Sequence, residues 1–158
     1  MISAKELQES LHYNSGTGEF VWKTRPSTRV KIGDIAGTKT VYGYTQIRFK
    51  NRFYKAHRLA WLYVTGNWPD NEIDHINGVR DDNKWKNLRD VTAAMNRQNQ
   101  RVSRSTSGFF GVTKYYNKYT AKIGHQNKTI YIGTYDTAES AYRAYLEVKR
   151  RIHDGCTI

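Results

Sequence analysis

This chain is short of cysteine, of acidic residues and of long apolar runs, and each shortage excludes something. Among 158 residues the one cysteine is Cys156. A lone thiol rules out an internal disulfide framework and a cysteine-built zinc site. No apolar stretch approaches the roughly 20 residues needed to cross a bilayer, and the first residues lack the apolar core of a secretory signal. The expectation is a soluble, cytoplasmic protein with no membrane partner. Simple tandem repeats are absent. Acidic side chains number 14 against 26 Lys and Arg, for a formal net charge of +12. Such a balance points to a polyanionic partner, because each Lys or Arg set on a phosphate releases a condensed counterion.

The charge is unevenly spread. Residues 1–55 carry 10 basic and 4 acidic side chains, residues 101–158 carry 10 and 4, and residues 56–100 carry 6 of each. A neutral centre between two basic flanks suits a protein that grips nucleic acid from both sides. The length fits one ordinary domain or two small ones.

Local patterns divide the chain further. Ser3 and Glu6 form a capping box that predicts a short helix over 3–12. A turn follows over 13–18, then a strand at 19–22. Over Thr45–Lys50, Thr45, Ile47 and Phe49 alternate with Gln46, Arg48 and Lys50, the period of a half-buried strand. Asn51-Arg52 makes the turn and Phe53–Ala56 returns, which leaves Arg48 and Lys50 on the solvent side. His57–Thr65 is helical by pattern, stopped by Gly66. Ile73–Ile76 is a strand, 77–88 a polar loop, Arg89–Val91 a second strand, and Thr92 starts a helix that runs to about Arg101. Residues 101–107 are a polar, basic linker. Three strands (111–116, 119–125, 129–133) and a helix from about Thr137 to His153 complete the chain.

The chemistry concentrates in the neutral centre. Asp74 and His75 adjoin at the end of a short strand, with Asn87 and Asn96 following. Such a pair can aim a carboxylate at a metal and an imidazole at a water, while an asparagine on the next helix adds a second metal oxygen. That equipment suffices to cut a phosphodiester with one divalent ion. The stretches His57-Arg58-Leu59-Ala60-Trp61, Ile73-Asp74-His75-Ile76-Asn77-Gly78, Asn87-Leu88-Arg89 and Asn96-Arg97-Gln98-Asn99 resemble the HNH (ββα-metal) endonucleases of the phage or homing type, over roughly residues 13–101.

The resemblance and the residue chemistry imply the same roles. His75 is expected as general base, since its unperturbed pKa of about 6.5 lies near working pH. Asp74 and Asn96 are expected to bind a divalent cation, Mg²⁺ or Mn²⁺, through hard oxygens. Asn87 is expected to bond across the loop and hold His75, with products ending in 5′-phosphate and 3′-hydroxyl. Asn99 is the competitor of Asn96, and His57 reads as a packed histidine. Arg80, Lys84 and Lys86 of the loop join Arg48 and Lys50 as candidate DNA contacts.

The tail carries Ser107-Gly108-Phe109-Phe110-Gly111-Val112 and Ile132-Gly133-Thr134-Tyr135-Asp136-Thr137-Ala138-Glu139, and over residues 107–153 it resembles the AP2 DNA-binding domain. Alternation turns Val112, Ile123, Ile130 and Ile132 toward the helix. Thr113, Tyr115, Thr120, Lys122, Thr129 and Tyr131 then face outward, so Thr113, Tyr115, Lys122, Thr129 and Tyr131 become the DNA-contact candidates. These positions lack the Arg and Trp of the plant-type pattern, which implies weaker base reading.

The expected fold is α+β: an N-terminal antiparallel sheet (13–56) and a ββα-metal core (57–100) in a nuclease domain of residues 1–100. A linker (101–107) then leads to an AP2-like domain (108–158) with a three-stranded sheet packed on one helix. The expected partner is double-stranded DNA, and the expected location is host cytoplasm if the protein is phage-encoded. Monomeric nicking is the default, with dimerisation left open. The competing reading is a DNA-binding protein with an inactive nuclease centre.

Overall fold

The computed structural model describes residues 1–99 and 105–157, and the chain divides into two compact units, Met1–Thr92 and Ala93–Ile158.

The first unit opens with α1 (Ala4–Ser10). The Ser3 hydroxyl accepts from the Glu6 amide at 3.2 Å and the Glu6 carboxylate accepts from the Ser3 amide at 2.8 Å, which satisfies two orphan donors reciprocally. The helix ends earlier than its pattern suggests. Leu11–Tyr13 leaves it as β1 and pairs antiparallel with β2 (Phe20–Trp22). Leu11, Tyr13, Phe20 and Trp22 are all buried by this pairing, and burial outweighs the weak preference of two more residues for helix.

A second sheet has the order β3 (Thr38–Lys39), β4 (Thr45–Phe49), β5 (Arg52–Lys55). The period of two holds in β4, where Ile47 and Phe49 are buried and Arg48 is exposed. Lys50 does not extend the strand. With Asn51 it makes the hairpin turn at φ of 48° and 62°, the two positive dihedrals that match the twist of flanking strands. The turn is thus one residue earlier than the sequence reading put it.

α2 (Ala56–Thr65) stops at Gly66, in the left-handed region at φ 80° with its N–H on the Leu62 carbonyl. Its buried Leu59, Ala60 and Leu62 join Leu7, Leu11, Phe20 and Ile47 in one core. Each Leu, Ile or Phe among them contributes roughly 1.5–3 kcal/mol by leaving water. β6 (Glu72–His75) and β7 (Leu88–Val91) then pair antiparallel, joined by a loop that closes in a 3-10 turn at Trp85–Asn87.

In the second unit α3 (Ala93–Gln98) precedes a sheet of order β10 (Lys128–Tyr135), β9 (Lys118–His125), β8 (Val112–Tyr115), followed by α4 (Ala138–Ile152). Val112, Ala121, Ile123, Ala141 and Tyr145 form its core. Gly111, at φ 77°, tolerates no side chain: a Cβ there would lie 2.2 Å from the Tyr145 ring. The α4 stripe ends in Lys149, 1% exposed, whose ammonium lies 5.7 Å from the Phe110 ring centre and 5.6 Å from that of Tyr145.

Two expectations change here. Ile130 is 38% exposed rather than packed under the helix. The strand's alternation is broken by a register shift between Tyr131 and Gly133, as a bulge does. Thr120 is buried instead of exposed, with its hydroxyl 3.4 Å from that of Thr134.

The division between units also falls earlier than residue 100, because α3 is tied to the C-terminal segment. The Gln98 side-chain oxygen accepts from the Gly155 amide at 3.0 Å, and the Asn99 side chain accepts from the Thr157 hydroxyl. The end of the expected helix near Arg101 and linker residues 101–104 lie outside the described residues.

Candidate active site

Pairing of β6 with β7 sets Asp74 opposite Arg89 and His75 opposite Leu88. Neighbours on a strand point to opposite faces, so Asp74 and His75 have separate surroundings although both are buried. One carboxylate oxygen of Asp74 accepts from Arg89 Nε at 3.0 Å and from Nη2 at 2.8 Å. On the other face, His75 Nε2 lies 3.0 Å from Asn83 Oδ1 in a buried contact. The ring of His57 meets that of His75 edge to face, with centres 5.0 Å apart at 89°.

Tyr44 joins this group of rings, its centre 5.5 Å from that of His57 and 6.1 Å from that of His75. Two cations approach Tyr44: Lys55 Nζ at 4.9 Å from the ring centre and the Arg80 guanidinium at 5.3 Å.

Electrostatics follow from burial. Desolvation pushes the His75 pKa below the ordinary imidazole value. The bond to Asn83 and the carboxylates of Asp74, Asp82 and Asp81 oppose that shift. His57 is lowered to about 3, first by burial and then by the charges of His75, Arg58 and Lys55. A neutral His57 therefore sits beside His75, and its buried Nδ1 has no hydrogen-bond partner among the described residues.

Asn87 bonds across the loop, as its place in the sequence suggests. Its Oδ1 accepts from the Asn77 amide at 2.9 Å, and its Nδ2 donates to Asn77 Oδ1 at 3.0 Å and to the Asp82 carbonyl at 2.7 Å. The side chain clasps the two ends of the loop, while the side chain at His75 Nε2 is that of Asn83. Sequence reasoning passed over Asn83, Tyr44 and Lys55. An asparagine between Asp82 and Lys84 in a polar loop carries no signal of its own, because its partner is set by the loop's path.

Asn96 lies half-buried in α3 of the second unit, and Asn99 is buried with its side-chain oxygen on Thr157. Among the described residues no three His, Cys, Asp or Glu side chains cluster as a metal cage. The Asp74 carboxylate and the Asn96 amide are hard oxygen donors, a chemistry that fits Mg²⁺ or Mn²⁺.

The other candidate contacts are spread over the surface. Arg48, Arg80 and Lys86 are exposed, while Lys84 lies 3.6 Å from Asp82. Lys50 is paired with Glu6, whose carboxyl is held down to about 2 first by that hydrogen bond. In the second unit Thr113, Tyr115, Lys122, Thr129 and Tyr131 are all exposed.

Residues 54–98 match the family model of HNH endonucleases. That segment runs from β5 through α2, β6, β7 and α3, and it includes Asp74, His75, Asn83, Asn87 and Asn96. The match supports a nuclease, and a nuclease of this family implies DNA as substrate. No curated protein and no solved structure matches the chain. No helix of the described residues is long and apolar enough to cross a membrane.

Proposed function

We propose that this chain is a metal-dependent HNH endonuclease of the phage or homing type, with His75 as general base and an AP2-like second unit that binds DNA. The observation that carries the reading is the β6–β7 pair within the HNH match. It buries an imidazole whose pKa is lowered, so the ring is neutral and able to take a proton at physiological pH.

In the proposed reaction His75 takes a proton from a water. The water oxygen attacks phosphorus in line, the bond from phosphorus to the 3′ oxygen breaks, and that oxygen takes a proton from solvent. The products end in 5′-phosphate and 3′-hydroxyl. Asp74 and Asn96 would hold a divalent cation, which when bound stabilises negative charge on the phosphate and the leaving oxygen. Arg89 orients the Asp74 carboxylate through two bonds to one oxygen.

The three-stranded sheet with α4 behind it supports an AP2-like role for the second unit. Its exposed Lys122, Thr129 and Tyr131 are proposed to meet the major groove, which is wide enough for such an element. Arg48, Arg80, Lys84 and Lys86 would add phosphate contacts, and Lys50 would do so only after leaving Glu6. A monomer nicking one strand is the simplest form of this proposal.

Supercoiled plasmid incubated with Mg²⁺ or with EDTA tests the reading. Cleavage in Mg²⁺ alone is expected, and His75→Ala should lower the rate on the order of 10²- to 10⁴-fold with DNA affinity nearly intact. The Asp74–Arg89 ion pair also favours a second reading, a DNA-binding protein with an inactive centre. Binding without cleavage at any Mg²⁺ or Mn²⁺ concentration would establish that one instead.

A further inference from the structure

The loop that faces His75 is braced from an unexpected side. Asn83 is 3% exposed, and its Oδ1 lies 3.0 Å from His75 Nε2. An asparagine amide is ambiguous by shape, so its orientation is fixed by its other partner. Here Nδ2 donates to the Asp81 carbonyl at 3.3 Å. Turning the amide over would set Oδ1 against that carbonyl, two acceptors facing each other. Oδ1 therefore faces His75, and it can only accept. His75 Nε2 must carry the hydrogen, which makes Nδ1 the proton-accepting nitrogen of the neutral ring.

Asn83 is in turn held by the β1–β2 hairpin. The Tyr13 hydroxyl donates to the Asn83 carbonyl at 2.6 Å in a buried bond. Burial raises the Tyr13 pKa to about 12, so the hydroxyl remains a donor throughout the neutral range. Gly18, at φ 80°, lets the hairpin turn press on the same peptide: a Cβ there would lie 2.5 Å from the Asn83 carbonyl carbon and from the Lys84 amide. The Trp85 amide adds a bond to the Ser15 carbonyl at 3.0 Å.

We propose that Asn83 is the positioning residue of His75, fixing the Nε2–H tautomer and the plane of the ring, and that the β1–β2 hairpin holds Asn83 in place through Tyr13 and Gly18. This rests on His75 acting as the base, and it goes further by naming the nitrogen that acts and a distant hairpin as part of the apparatus. As His75 takes a proton at Nδ1, the Nε2–H bond to Asn83 persists and stabilises the imidazolium.

Asn83→Leu keeps the shape and removes the acceptor, whereas Asn83→Asp keeps an acceptor. Two readouts apply to each: kcat and KM on a nicked-site DNA substrate with Mg²⁺, and ring ¹⁵N shifts of His75 in the metal-free protein. Asn83→Leu is expected to lower kcat about tenfold to a hundredfold with KM within twofold, the cost of a misplaced catalytic group. Its His75 should show mixed tautomers. Asn83→Asp should retain the Nε2–H tautomer and recover most of kcat. Tyr13→Phe, which leaves the amide untouched, should lower kcat a few fold and keep KM.

Equal kcat and a single unchanged tautomer in Asn83→Leu would overturn the proposal. So would equal losses in Asn83→Leu and Asn83→Asp, which mark a role in folding alone. If Asn83→Leu does not fold, Asn83→Asp and Tyr13→Phe decide. Wild-type kcat and KM in Tyr13→Phe would refute the hairpin's role, and mixed His75 tautomers in Asn83→Asp would overturn the positioning by Asn83. A wild-type protein that cuts nothing yet shows the Nε2–H tautomer, lost on removing the acceptor, would sink the nuclease reading and leave the positioning intact.

Discussion

Acid should unfold the first unit through His57, and the size of the effect follows from its burial. Its pKa is about 3 in the folded protein, against the ordinary 6.5 expected on unfolding. Between those values the unfolded chain binds a proton and the native one does not. Stability therefore rises with pH across that window, and it is lost as pH falls from about 6.5 toward 3. At about 1.4 kcal/mol per pKa unit, the native state loses about 2 kcal/mol by pH 5 and on the order of 5 kcal/mol by pH 3. His75, lowered in the same direction, adds to the loss.

The tryptophans make the measurement selective, since Trp22, Trp61, Trp68 and Trp85 all lie in Met1–Thr92 and the second unit has none. Urea melts followed by tryptophan emission should show the wild-type midpoint falling by about 1 M between pH 7 and pH 5. His57→Phe keeps an aromatic ring beside Tyr44 and His75 and cannot titrate, so its midpoint should fall by much less. A variant as acid-sensitive as wild type would refute the reasoning and place the sensitivity elsewhere.

Three further outcomes are expected. Asp74→Ala and Asn96→Ala should each raise the Mg²⁺ concentration needed for half-maximal cleavage. Asn99→Ala should leave it unchanged and loosen the C-terminal segment, because its side chain is engaged by Thr157; rate against metal in the three variants separates these roles. Gly111→Ala should destabilise the second unit by about 2 kcal/mol or more, since it combines a strained φ with overpacking against Tyr145, read by amide hydrogen exchange of β8 and β9. Lys122→Ala should shrink the slope of log affinity against log salt by about one, whereas Tyr131→Ala should weaken binding and leave that slope as it is.

Local rules made much of the first unit legible. The Ser3–Glu6 box, the β4 alternation and the Gly66 stop depend on residues a few positions apart, and each is where the sequence puts it. The β1 strand was hidden because Leu11 stands four residues after Leu7, on the same helix face, and only Trp22 and Phe20 opposite draw Leu11 and Tyr13 into a strand. At the site, Asp74 and His75 stand out as an adjacent pair, and burial of both depends on strands fifteen residues apart. Asn83 stayed invisible because its role is set by Tyr13, seventy residues away in the chain. Lys149 carried no signal either, yet it is buried with its ammonium beside the Phe110 and Tyr145 rings.

The ties from α3 to Gly155 and Thr157 have a consequence for the order of synthesis. At six residues α3 is too short to persist alone, and its described partners include residues made almost sixty positions later. On a ribosome, β6, β7 and His75 can fold while the helix bearing Asn96 still lacks its support. A chain interrupted before Gly155 would then hold a folded β6–β7 pair beside a short helix that still lacks the partner closing its last turn.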